Sequence, residues 1–94
     1  MPHYIYILAS RRGTIYTGST NKLRQRIEQH LSGAVASFSR HYRTSRLVYV
    51  EIAETAEAAF ARERQIKSWR REKKNALIAK QNPCWEDLSQ RILN

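Results

Sequence analysis

A single cysteine, Cys84, in 94 residues excludes an intrachain disulfide framework and any multi-cysteine zinc site. No disulfide-linked partner is expected either. No apolar run approaches the roughly 18 residues that read as a membrane-spanning helix, so no bilayer-spanning segment is expected. The start, Met1-Pro2-His3-Tyr4, lacks the basic and apolar regions of a secretory signal, and the expected location is the cytoplasm. Internal repeats, linkers and low-complexity stretches are missing too. The length has room for one domain, expected to span 1–94. Acids are scarce beside bases: eight Asp and Glu face seventeen Lys and Arg, giving a net charge of +9. Such a surface attracts polyanions, and nucleic acid is the commonest of these.

What is present orders itself by periodicity. Tyr4-Ile-Tyr-Ile-Leu8 is aromatic and β-branched and predicts a strand. Ser10-Arg-Arg-Gly-Thr14 reads as a turn around Gly13, and Ile15-Tyr-Thr-Gly-Ser19 as the returning strand of a hairpin. Pairing Tyr6 with Tyr16 leaves five residues between Leu8 and Thr14. Alternation then puts Tyr4, Tyr6, Tyr16 and Gly18 on one face, and Ile5, Ile7, Ile15 and Thr17 on the other. The isoleucine face is the expected core. The tyrosine face carries phenols and a bare glycine, which permits close approach of a backbone or ligand.

Asn21 predicts an N-cap for a helix to about Leu31, with Leu23, Ile27 and Leu31 as its apolar stripe. Residues 34–45 show no clear period and read as a loop or short helix. Arg46 to Ala53 predicts a third strand. Thr55 caps a helix running to about Arg70, and Arg71 to Lys80 either extends it or forms another. Asn82-Pro83 is a break, followed by a short packing segment from Trp85 to Leu93. The order is β-β-α-β-α-α. The fold class is α+β, sandwich-like, with a small, mainly antiparallel three-stranded sheet flanked by helices.

Arg26 and His30 stand four apart on one helix face and border the apolar stripe. Arg24 and Glu28 lie away from it and read as a solvated pair. Glu63 falls, at helical spacing, among Ala56, Ala59, Phe60 and Ile66. A carboxylate in an apolar stripe is costly unless paired or metal-bound. Both readings stay open: an ion pair with Arg26 or a neighbouring lysine, or a ligand to a cation. The other acids form no compelling cluster, so a site with one protein carboxylate and several waters would suit Mg²⁺. Between Arg62 and Lys80 lie eight basic residues and Trp69. They form either a phosphate-contacting ridge or a solvated helix face, and the few acids among them favour the ridge. Lys22, Arg40, Lys67, Arg70, Arg71, Lys73 and Lys74 are the residues expected to contact nucleic acid.

Together these residues resemble the GIY-YIG nuclease family. Tyr4-Ile5-Tyr6 stands at the first tripeptide and Tyr16-Thr17-Gly18 at the second, with Tyr4 and Thr17 as departures from the pattern. The helix after Gly18 carries the family's arginine at Arg26 and its histidine at His30. The stretch Glu57 to Lys67 looks like the helix that bears the metal-binding glutamate, which maps to Glu63. The resemblance covers about residues 4–80, leaving a tail at 81–94, and is closest to standalone bacterial-type members related to the excision-repair nuclease domain. It implies an endonuclease using one divalent metal, Mg²⁺ or Mn²⁺, held by Glu63. Tyr6 or Tyr16 would act as general base, Arg26 would neutralise phosphate charge, and His30 would relay a proton or orient a tyrosine. A late asparagine near the site maps to Asn75 or Asn82. The rival readings are a non-catalytic nucleic-acid-binding module and a basic membrane-surface or ribosome-associated protein.

Overall fold

The computed structural model describes residues 2–10, 13–32 and 44–93. Within them the chain forms β1 (His3–Ser10), β2 (Ile15–Thr20), α1 (Leu23–Ser32), β3 (Thr44–Ala53), α2 (Ala56–Lys67), α3 (Arg71–Gln81) and α4 (Ser89–Leu93). The three strands form an antiparallel sheet in the order β2-β1-β3. The expected α+β order holds, and the tail contributes the short α4. The segment 34–45, read as a loop or short helix, lies outside the described residues up to position 43.

The hairpin forms as its alternation requires, but its register differs from the expected one. Gly13 takes φ +88°, a left-handed conformation that glycine adopts without steric cost. Its N–H donates to the Ser10 carbonyl at 3.1 Å, and the Ser10 N–H donates to the Thr14 carbonyl at 2.8 Å. Closing the turn at Ser10 and Thr14 tightens the loop, so Tyr6 faces Gly18 and Leu8 faces Tyr16. Tyr6 is therefore not opposite Tyr16. The slip is two residues, and strand side chains repeat every two, so each one keeps its face.

Helices cover both faces of the sheet. On one side Ile5, Ile7 and Ala9 pack with Val48, Tyr49, Ala59, Ile66 and Ile78, bringing in α2 and α3. On the other, Tyr6, Leu8 and Leu47 pack with Leu23 and Ile27 of α1, and Leu88 and Ile92 close over them. The tyrosine face is thus a second core. Ile5, Ile7, Ile66 and Ile78 are fully buried, each worth about 1.5–3 kcal/mol of burial. The β1–β3 pairing slips between Ile7 and Leu8, which face Tyr49 and Leu47. Val48 is the extra residue of this bulge, and both Val48 and Tyr49 join the isoleucine-side core.

Thr55 caps α2 as expected: its Oγ1 accepts the Ala58 N–H at 3.0 Å. The helix ends at Lys67, short of Arg70, because the Ser68 N–H is shared between the Arg64 and Gln65 carbonyls. Arg70 is extended, and α3 starts afresh. Buried Asn82 then clamps the tail: its Nδ2 donates to the Val48 and Glu86 carbonyls, and its Oδ1 accepts the Glu86 N–H. Asp87 accepts the Leu47 N–H at 3.0 Å. Burial opposes the charge on Asp87, but hydrogen bonds from Ser89 and Leu47 outweigh it and hold its carboxyl below the usual range.

One polar network ties β3 to α2. Tyr49 Oη donates to Glu51 Oε1 at 2.5 Å, and Arg62 grips both oxygens of Glu51 at 2.9 and 3.2 Å. Burial, followed by the hydrogen bond to Glu51, pushes the Tyr49 phenol up to about 12 from 10.0. A raised folded value means that the native state holds the proton more tightly, so this stabilisation is complete below the unfolded value. The melting temperature is expected to fall as pH rises from about 10 to about 12. Thermal melts across that window should show a shallower fall for Tyr49→Phe, and an identical fall would remove Tyr49 from the account.

Candidate active site at the edge of the sheet

Strand β2 is an edge strand, and Gly18 is the position that opens it. Tyr6 comes from the central strand directly opposite. A Cβ at Gly18 would lie 2.6 Å from Tyr6 Oη, 2.7 Å from its Cζ and 3.0 Å from Tyr16 Cε1. Gly18 is therefore needed for space: the Tyr6 ring lies across the backbone of β2, and its hydroxyl reaches the sheet edge. Tyr16 stands beside it, with ring centroids 6.2 Å apart and planes tilted by 56°.

Arg26 of α1 acts on Tyr6. Burial raises the Tyr6 phenol well above its usual range, the neighbouring Tyr16 adds to the shift, and the Arg26 cation works against it. Tyr16 and Arg26 thus both lie near Tyr6. His30 follows Arg26 by four residues on α1, and its side chain lies outside the described residues.

Glu63 reaches the same edge from the opposite side of the sheet. Ser19 faces α2, and its Oγ donates to Glu63 Oε1 at 2.5 Å. Lys67, one turn further along α2, donates to Oε2 at 2.6 Å. The Lys67 ammonium also lies 5.7 Å from the Tyr16 ring centroid, and the Glu63 charge is felt at the Tyr6 phenol. The cluster therefore wraps around β2. Phenols and a guanidinium come from one face, and a carboxylate, hydroxyl and ammonium from the other.

The expected setting of Glu63 needs correction. Ala59 and Ile66 are buried, but Ala56 is exposed and Phe60 is 57% exposed. The apolar stripe is narrower than periodicity suggests. Glu63 sits at its margin, with its side chain 13% exposed. Its ion-pair partner is Lys67, as one of the two readings has it. The i,i+4 spacing of Glu63 and Lys67 was the available signal. Nothing in the pattern pointed to Ser19 except its place next to Gly18.

A divalent cation fits this donor set. Carboxylate, hydroxyl and phenol oxygens are hard ligands of the kind Mg²⁺ takes, with waters completing the shell. The carboxylate already draws one cation, the Lys67 ammonium. Among the described residues no three His, Cys, Asp or Glu side chains cluster as a ready-made metal cage.

The basic segment is not a uniform ridge. Arg62 is turned to Glu51, and Lys67 to Glu63. Arg71 donates to Asn75 Oδ1 at 2.9 Å and to the Gly13 carbonyl. Lys73 lies over the Trp69 ring, 4.4 Å from its centroid. Lys22 and Arg70 are exposed and Lys74 is half-buried. Arg24 and Glu28 form the expected solvated pair at 3.5 Å. Arg40 lies outside the described residues. Of the two late asparagines, Asn82 is committed to clamping the tail, while Asn75 sits beside the arginine that reaches the hairpin turn. No helix among the described residues is long and apolar enough to cross a membrane.

The chain resembles known proteins over most of its length. A UPF0213 protein of Staphylococcus saprophyticus is 39% identical over 77 residues, covering 82% of this chain and 94% of the relative. A UPF0213 protein of Haloquadratum walsbyi is 39% identical over 75 residues, covering 80% and 84%. The solution NMR structure of a UPF0213 protein from Bacillus halodurans superposes with a TM-score of 0.60, at 35% identity and 92% coverage of both chains. The GIY-YIG catalytic domain matches residues 2–76. The tyrosine pair across Gly18, the helix bearing Arg26 and the helix bearing Glu63 all fall inside that match, and the chain belongs to the GIY-YIG family, whose domain is that of nucleases.

Proposed function

We propose that this protein is a metal-dependent endonuclease that hydrolyses phosphodiester bonds in nucleic acid. DNA, in repair or processing, is the substrate favoured by the resemblance to the excision-repair nuclease domain. The observation that carries the reading is the meeting of Tyr6, Tyr16 and Arg26 with Glu63 around one strand edge. A purely structural arrangement has no need to bring a near-buried carboxylate towards two phenols and a guanidinium.

The residues divide the work by their surroundings. Glu63, steadied by Ser19 and Lys67, would hold Mg²⁺ or Mn²⁺. A cation bound there supplies polarisation of the scissile phosphate and charge stabilisation at the leaving oxygen. Arg26 faces the phosphate and offsets its growing negative charge. Tyr6 keeps its proton in the free protein, so it is suited to donate a hydrogen bond and orient the attacking water. Tyr16, less buried than Tyr6, is the better-placed general base. His30 relays the proton or orients a tyrosine. Lys22, Arg40, Lys67, Arg70, Arg71, Lys73 and Lys74 guide the polyanion, helped by the +9 charge.

The test is cleavage of single- and double-stranded DNA and RNA with Mg²⁺ or Mn²⁺, set against EDTA. Cleavage that needs the metal is expected. Tight, salt-sensitive binding without cleavage under any metal would leave the non-catalytic binding module.

A further inference from the structure

Phe60 is the one large aromatic among the described residues that points mainly to solvent. A lone exposed ring needs no explanation, but Phe60 lines a groove of about 470 Å³. The groove runs between the start of α2 and the end of β2. His3, Ser19, Thr20, Asn21 and Glu57 supply the polar part of its wall. Ser19 joins it directly to the candidate active site, because its hydroxyl is the one bound to Glu63 at 2.5 Å.

The lining selects among parts of a nucleic acid. A phosphate would face the Glu57 carboxylate and be repelled. A nucleobase is uncharged and flat. It would meet an aromatic face, with hydroxyl, amide and carboxylate groups along its hydrogen-bonding edge. The Arg64 guanidinium already lies 5.7 Å from the Phe60 ring centroid, so a base stacked there joins an existing cation–π pair.

We propose that this groove takes an unpaired nucleobase next to the phosphate that is cut, stacked on Phe60. The inference rests on the endonuclease reading and sharpens it, since a base in this groove must be out of its duplex. It assigns to the protein a preference for single-stranded, flapped or frayed nucleic acid.

The experiment uses the whole protein in EDTA, where nothing is cut. Single-stranded oligonucleotides carry 2-aminopurine at successive positions, and binding is followed at low and moderate salt. Wild type and Phe60→Trp are expected to change the probe's fluorescence strongly at one position. Phe60→Ala and Phe60→Leu should lose that signal, and Phe60→Ala should weaken single-strand affinity by roughly 5- to 100-fold. Their melting temperatures should stay near wild type, because Phe60 is exposed. Unchanged affinity and fluorescence in Phe60→Ala would overturn the base-stacking groove and leave the endonuclease reading standing. A wild-type protein that binds no oligonucleotide at low salt would overturn both.

Discussion

Glu63→Gln is expected to lower metal-dependent cleavage by about 10²–10³-fold while leaving the fold in place. The size follows from losing several kcal/mol of charge stabilisation in the transition state, at a factor of ten per about 1.4 kcal/mol. The small effect on folding follows from the geometry. Gln keeps an oxygen that accepts the Ser19 hydroxyl. Lys67 is 47% exposed, so water solvates it once its partner is neutral. Losing a pair whose cation stays solvated costs about 1 kcal/mol, or a few degrees of melting temperature. Cleavage, a melting curve and oligonucleotide affinity in EDTA should be measured on the same variant. Wild-type cleavage would reject Glu63 as a metal ligand, and a collapse of the melting temperature would make it a structural residue.

Gly18→Ala is expected to damage both stability and activity. The added methyl would lie well inside contact distance of the Tyr6 hydroxyl and ring, and against Tyr16. The Tyr6 ring cannot yield easily, because it is 3% exposed and packed with Leu23 and Ile27. Overpacking of this kind costs about 1–3 kcal/mol, which for a chain of this size lowers the melting temperature by roughly 5–20 °C. Cleavage should fall with it, because the phenol that crosses the strand is the part displaced. The same substitution in a Tyr6→Leu background should cost far less stability, and this non-additivity identifies the clash as the cause. Equal losses in the two backgrounds would place the damage elsewhere.

The sequence made faces legible and registers illegible. Tyr4, Tyr6, Tyr16 and Gly18 share a face in any pairing that slips by an even number of residues, so alternation named the right set. Alternation says nothing about which residue is opposite which, and the turn at Ser10 and Thr14 settled that. The bulge at Val48 was invisible for the same reason: Leu47-Val-Tyr-Val50 alternates acceptably until two neighbours are sent to one side. Thr55 was readable as a cap because its chemistry is local. Asn82 was not readable as a clamp, because its partners are the Val48 carbonyl, distant in sequence, and the backbone of Glu86. Glu63 stood out for a partly mistaken reason. The stripe around it is half exposed, yet the mismatch between a carboxylate and its alanine and isoleucine neighbours still marked a residue held by Ser19 from another element and Lys67 from its own.

The parts of the candidate site are made far apart in time. Tyr6 and Tyr16 leave the ribosome in the first hairpin, whereas Ser19 waits 44 positions for the carboxylate it binds. Strand β1 lies between β2 and β3, so the sheet itself is unfinished until the chain has passed Ala53. A nascent chain halted before α2 carries the phenols and a guanidinium but nothing to draw a cation among them. On the proposed mechanism, synthesis therefore offers no half-built stage at which the tyrosines are armed. By the same logic, a protease that clips between β3 and α2 and lets the helix leave would disarm the protein without touching a single tyrosine.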